Sequence, residues 1–264
     1  MVLFIICIKY IRMIEILTKM PEISIKAEPI FKIGNFHITN SLILSFVVLI
    51  FFLISAVIYE KNSKLKKKSN FYYFVNFLLK AVYGLFEGVL KERAVIFFPL
   101  LGSFFFFILL NNWFGLLPFV GSLLIKVKEH DEIFHFPIFR GNNADLNATF
   151  AIAIVSVVMI QVYGTKYLGF KDYIKKFINL TNPMNFVLGF LEIISEFSKI
   201  LSFSFRLFGN IFAGEVLVTI VAFLVPVLAS FPFIILEVFV GFIQALVFSM
   251  LTAVFINGAI AKHH

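Results

Sequence analysis

Arg206, Asn210, Glu215, Glu237 and Gln244 interrupt the long apolar stretches that fill the sequence between Pro183 and Lys262. A guanidinium in such a setting cannot shed its charge, so it requires water, a carboxylate or both. The plain alternative for Arg206 is an ion pair that ties two helices together. Carboxyl groups behave differently, because in low dielectric they take up and release a proton, which suits Glu215 and Glu237 to passing an ion onward. Their plainer role, and that of Gln244, is hydrogen bonding between helices.

Winding the segment at about 100° per residue puts Glu192, Ser195, Lys199, Ser202 and Asn210 within about 40° of Arg206, and Glu215 about 180° away. Polarity therefore forms one stripe. Gly209 and Ala213 lie on the same side, where small side chains admit a neighbouring helix. Lys199 reads as a snorkelling side chain first and a channel residue second. Glu237 and Gln244 are seven residues apart and share a face of the following helix. With Gln244 level with Arg206, Glu237 comes to the depth of Glu215. Two carboxylates then stand on one side of the arginine, while Ser202, Ser195 and Glu192 lead away on the other. A fixed positive charge between two half-paths stops a proton or sodium ion from running straight through. Transfer then needs a mobile acidic carrier that crosses lipid in its neutral form. The sequence holds no second element of that kind, so the carrier is expected on a partner.

A membrane bundle must position these groups. The chain is 61% hydrophobic and 14% charged, with 38 phenylalanines, a composition foreign to soluble domains. Several stretches reach the roughly 20 apolar residues a helix needs to span a bilayer, and ten-residue alternating patterns are absent. The expected fold is all-α and integral to the membrane: one domain over 1–264 with five transmembrane helices, an interfacial segment and a long, steeply tilted carboxyl-terminal helical hairpin.

Residues 1–40 form an outer segment. Ser41 to Tyr59 is the first span, and the lysine-dense Glu60 to Lys68 marks the cytoplasmic side. Phe71 to Arg93 mixes aromatic with charged residues and reads as interfacial. Ala94 to Leu117 crosses outward, and an outer loop follows to about Asn143. Asp145 and Asn147 either cap the next span, 145–168, or line an outer vestibule. Lys166, Lys171, Lys175 and Lys176 bring the chain back inside. Pro183 to Val225 would be about 64 Å long as one helix, twice a ~30 Å hydrocarbon core. It must break near Gly189 or Gly209, or lie at roughly 60° from the membrane normal; the tilt is the preferred reading. Pro226 to Pro232 turns the chain outside, and Phe233 to Ala261 returns it to a cytoplasmic carboxyl end.

The formal charge of +8 comes from lysines beside the spans, where they set topology and meet anionic lipid, so nucleic acid is not an expected partner. Cys7 is the only cysteine, which leaves no disulfide framework and no cysteine metal site. His130 and His135 are too loosely placed for a metal, and no metal or other cofactor is expected. Residues 1–20 lack signal-peptide character; they form an interfacial helix or precede a start at Met20. No Gly-x-x-x-x-Gly-Lys motif occurs, so nucleotide chemistry and any catalytic site belong to another chain.

Ser202-Phe-Ser-Phe-Arg-Leu-Phe-Gly-Asn-Ile-Phe-Ala-Gly-Glu215 resembles the central signature of subunit a of the F-type ATP synthase, the stator channel of its membrane sector. Asn112-Trp-Phe-Gly-Leu-Leu-Pro118, Asp145-Leu-Asn-Ala-Thr149, Leu191-Glu-Ile-Ile-Ser195 and Ile243-Gln-Ala-Leu-Val-Phe248 extend the likeness from about Ala27 to the carboxyl end. The resemblance implies that Arg206 faces the ion-binding carboxylate of a rotating c-ring. Asn210, Glu215, Glu237 and Gln244 would serve the outer half-channel; Glu192, Ser195, Lys199 and Ser202 would flank the inner one. It also implies a b-subunit peripheral stalk and the rest of the complex as partners. Many family members carry histidine at one of the positions matching Glu215 and Glu237, whereas this chain has glutamate at both, so the pair is expected to titrate together. The stretches Ala27-Glu-Pro-Ile-Phe31 and Gly34 to Ser41 look bacterial, which implies an inner membrane. The competing function is a secondary transporter that holds an anionic substrate on Arg206, against which stands the absence of half-repeats.

Overall fold

The computed structural model describes residues 27–33, 36–117, 120, 124–129, 132–177, 183–224 and 230–261. The amino-terminal stretch 1–26, His130, residues 225–229, where an outer turn is expected, and the terminal histidines fall outside them. Among the described residues the chain is a helical bundle: α1 Asn40–Ser63, α2 Asn70–Leu90, α3 Ala94–Gly115, α4 Leu146–Leu168, the short α5 Phe170–Phe177, α6 Pro183–Leu224 and α7 Ser230–Ile260. Five helical stretches are long and apolar enough to cross a membrane, with α2 and α3 counted together. The all-α membrane reading holds.

Local chemistry sets the helix ends. The Thr39 hydroxyl accepts from the Leu42 amide to start α1, and Asp145 accepts from the Asn147 amide at 3.0 Å to start α4. Gly169, with φ of 85°, ends α4 in a backbone state that favours glycine and turns the chain into α5. Between α2 and α3, Lys91 adopts φ of 51° in a tight 3-10 turn.

Two antiparallel hairpins add to the helices, β1 Pro29–Ile33 with β2 Phe36–Thr39, and β3 Leu124–Glu129 with β4 Glu132–Pro137. They were not expected, since strands of four to six residues carry too few alternations to stand out beside 20-residue apolar helices. They precede the amino ends of α1 and α4 and so mark one end of the bundle, the hairpin end. The lysine-bearing carboxyl ends of α1 and α4 mark the other.

α3, α4 and α7 form the packed centre, with α6 laid across α4 and α7. The buried residues include Phe97, Leu101, Phe105 and Ile108 of α3, Ile160 of α4, Leu207 of α6 and Ile256 of α7. Lipid is as apolar as these side chains, so close fit rather than water exclusion favours association. Small buried residues on α4 and α7, among them Ala153, Ser156, Ala245, Thr252 and Ala253, bring the backbones together, and Ser156 bonds Thr252 at 2.9 Å across the interface. α1 is a flank: only its first turns are buried, and Phe46, Ile50, Leu53 and Val57 face outward.

α6 runs unbroken for 42 residues, about 63 Å at ~1.5 Å per residue. Gly189 and Gly209 therefore do not interrupt it, and a rod of twice the core thickness lies obliquely in a bilayer.

Candidate functional site

α6 divides lengthwise into two faces. Phe203, Ser204, Leu207 and Gly214 are buried against the bundle; the Ser204 hydroxyl meets Thr149 of α4 at 3.2 Å, and the Phe203 ring lies 4.9 Å from that of Phe248. Leu201, Ser202, Phe205, Arg206, Gly209, Asn210, Ala213 and Leu217 are exposed. The spacing of these residues is that of one helical stripe, and no other described segment covers it. Arg206 stands at its middle, its Nη2 donating to Ser202 Oγ at 3.1 Å, with no carboxylate of the described residues in reach.

Glu237 of α7 is 6% exposed, and its carboxylate rests on the Gly214 backbone, where a β-carbon would collide with it. Gly214 opposite Glu237 and Phe203 opposite Phe248 define one antiparallel register, which sets Arg206 level with Ala245, beside Gln244. Glu237 thus reaches the depth of Glu215, one residue along α6. Gln244 is half-buried and, like Asn210, makes no side-chain hydrogen bond among the described residues.

Glu215 turns away from the arginine stripe toward Arg140, whose Nε lies 3.6 Å from Glu215 Oε1. Arg140 is only 7% exposed. It leads into the polar run Gly141 to Asp145, which packs under the end of α3: Asn143 Nδ2 donates to Asn112 Oδ1 at 2.7 Å, and Asn112 Nδ2 donates to the Gly241 carbonyl at 2.8 Å. Asp145 is buried, accepting from the Ser41 hydroxyl at 2.7 Å besides capping α4, while the Asn147 side chain is exposed.

A second polar group lies at the lysine end. Glu192 pairs with Lys176 of α5 at 2.8 Å, and Lys199 pairs with Glu196 at 2.7 Å with its ammonium over the Phe255 ring. Lys199 is therefore pinned within the chain rather than snorkelling, because an acidic side chain one turn away and a ring face satisfy its charge locally. The Tyr173 hydroxyl donates to Gln161 Oε1. Burial, then the Glu196 and Glu192 carboxylates, push the Tyr173 phenol up to about 12, so it stays a neutral hydroxyl at physiological pH. Ser195 is half-buried between these groups and Ser202.

Buried polar atoms without a hydrogen-bond partner among the described residues gather at the same two ends. Asn111 Oδ1, Asn143 Oδ1 and Glu215 Oε2 lie at the hairpin end, and Gln161 Nε2 and Glu196 Oε2 at the lysine end. Each such atom costs about 1–3 kcal/mol unless water or an ion reaches it.

A profile described as ATP synthase A chain matches residues 41–257, nearly the whole described bundle. The chain belongs to this family. It is 30% identical over 237 residues to the ATP synthase subunit a of Moorella thermoacetica, covering 89% of this chain and 96% of that one. It is 29% identical over 233 residues to the ATP synthase subunit a of Legionella pneumophila strain Philadelphia 1, covering 88% and 91%. Membership in the ATP synthase A chain family makes this a multi-pass membrane protein of the F0 sector, concerned with ion transport and ATP synthesis.

Sequence reasoning passed over Arg140, Glu196, Gln161 and Tyr173. An arginine followed by glycine and asparagines reads as a solvated loop, and only the fold shows it buried. Glu196 carried a usable signal, standing three residues before Lys199 on one helix face.

Proposed function

We propose that this chain is the non-catalytic stator subunit a of a bacterial inner-membrane F-type ATP synthase, offering two offset half-channels to a ring of c subunits with Arg206 as the barrier between them. The observation that carries the reading is the position of Arg206, exposed on an uncovered stripe of α6 midway between two buried polar groups. In lipid a permanent charge there needs a counter-charge from a partner. A carboxylate on a passing ring supplies it. Glu237, Glu215, Asn210 and Gln244 hand a proton to that carboxylate from the hairpin side, with Asp145 and Asn147 near the vestibule. Neutralised, the carboxyl group leaves Arg206 and moves through lipid with the ring. After nearly a full turn it releases the proton toward Ser202, Lys199, Ser195 and Glu192. The guanidinium repels any proton that would pass directly, so ion flow is tied to rotation. The membrane potential contributes about 2.3 kcal/mol per charge per 100 mV to each transfer. The hairpin end faces outward, the lysine end and carboxyl terminus face the cytoplasm, a b-subunit stalk holds the chain against torque, and ATP chemistry takes place elsewhere in the complex.

The test is Arg206→Ala in the assembled synthase. ATP-driven proton pumping into inside-out vesicles should be lost, while the complex still assembles. Wild-type coupled pumping in that variant would end the barrier role.

A further inference from the structure

Arg140 is a buried charged side chain at the hairpin end that the relay described above leaves unused. At 7% exposure it holds an unquenchable positive charge in a place where one ion costs several kcal/mol without compensation. Its position is fixed by covalent neighbours that are themselves tied down. Asn142, Asn143 and Ala144 are buried, Asn143 bonds α3 through Asn112 and the Ile108 carbonyl, and Gly141 abuts the Gly115 backbone. The loop therefore delivers the guanidinium to α6, with Glu215 Oε1 at 3.6 Å.

Glu215 and Glu237 consequently occupy unlike surroundings although both are glutamates at one depth. Glu215 faces a fixed cation. Glu237 rests on the Gly214 backbone with no charged partner among the described residues. An identical pair sharing one site would compete for a single proton; a cation beside one member removes that degeneracy.

We propose that Arg140 is a positioning residue of the hairpin-side relay: it holds Glu215 as the carboxylate that draws protons in from the vestibule and leaves Glu237 to carry each proton on toward the ring. This rests on the relay reading given above. The residue acts through Glu215 and touches no transferred proton itself. Removing it takes the cation from beside Glu215, and because it acts through Glu215 the effects of the two substitutions are expected not to add.

The experiment measures passive proton conduction through F0 in F1-stripped membrane vesicles of the whole complex. Arg140→Gln should reduce conduction about tenfold, and Arg140→Lys, which retains the charge, should stay within about threefold of wild type. Arg140→Gln/Glu215→Gln should conduct at least as well as the worse single variant, since a residue that acts through Glu215 has nothing left to position once Glu215 is replaced. Wild-type conduction in Arg140→Gln, or defects that multiply in the double variant, would overturn the proposal. Should Arg140→Gln fail to assemble, the double variant decides: assembly regained supports the pair, and assembly lost while Glu215→Gln assembles alone makes Arg140 a scaffold residue and overturns it. Wild-type conduction in both Glu215→Gln and Glu237→Gln would instead defeat the relay reading itself.

Discussion

The two polar ends of the bundle differ in how their acids are matched. At the hairpin end, Arg140, Glu215 and Glu237 come from a loop and two helices, meet only through tertiary packing, and leave one carboxylate without a charged partner among the described residues. At the lysine end, Lys199 pairs with Glu196 one turn away on α6 and Lys176 of α5 pairs with Glu192 of α6, so both of these acids have a base. The first arrangement leaves a buried acid without a base beside the proposed path. The second pairs its acids with bases inside the chain.

One glycine underlies each end. Gly214 makes room for the Glu237 carboxylate, and Gly164 makes room for the Tyr173 ring. Gly214→Val should have the largest effect: it drives Glu237 off α6 and is expected to lower ATP-driven pumping about a hundredfold, an interruption of the relay as much as a packing fault. Retention of full pumping would show that the hairpin end tolerates displacement and that the contrast between the ends is wrong. Gly164→Ala pushes on an aromatic ring outside the proposed path, so a loss of about 1–3 kcal/mol in stability is expected with pumping reduced only in proportion to assembled complex. Thermal unfolding of the purified complex beside its pumping rate checks both halves of that statement. Lys176→Gln should do least. Its partner Glu192 is 29% exposed, and such pairs contribute about 1 kcal/mol or less, so pumping within about twofold of wild type is expected, most nearly normal at high salt.

Much of this was legible before any coordinates. The stripe around Arg206 follows from helical periodicity alone, which is why Ser202, Gly209, Asn210 and Ala213 emerge on the same exposed face of α6. The depth match between Glu237 and Glu215 needed only an antiparallel neighbour with a short turn. Arg140 was illegible for the opposite reason: loop residues have no period to read, and its burial comes from contacts with helices distant in sequence. The two hairpins escaped notice because short strands give a weak signal beside strongly apolar helices.

By itself, then, the sequence determined the membrane class, the five spans and the order of polar residues along α6, because hydropathy and the 3.6-residue turn act within a single segment. Tertiary structure alone decided which acid is paired and which is not. That choice depends on where a loop guanidinium and a missing β-carbon come to rest, and no local rule relates Arg140 to Glu215, or Gly214 to Glu237, until the helices have packed.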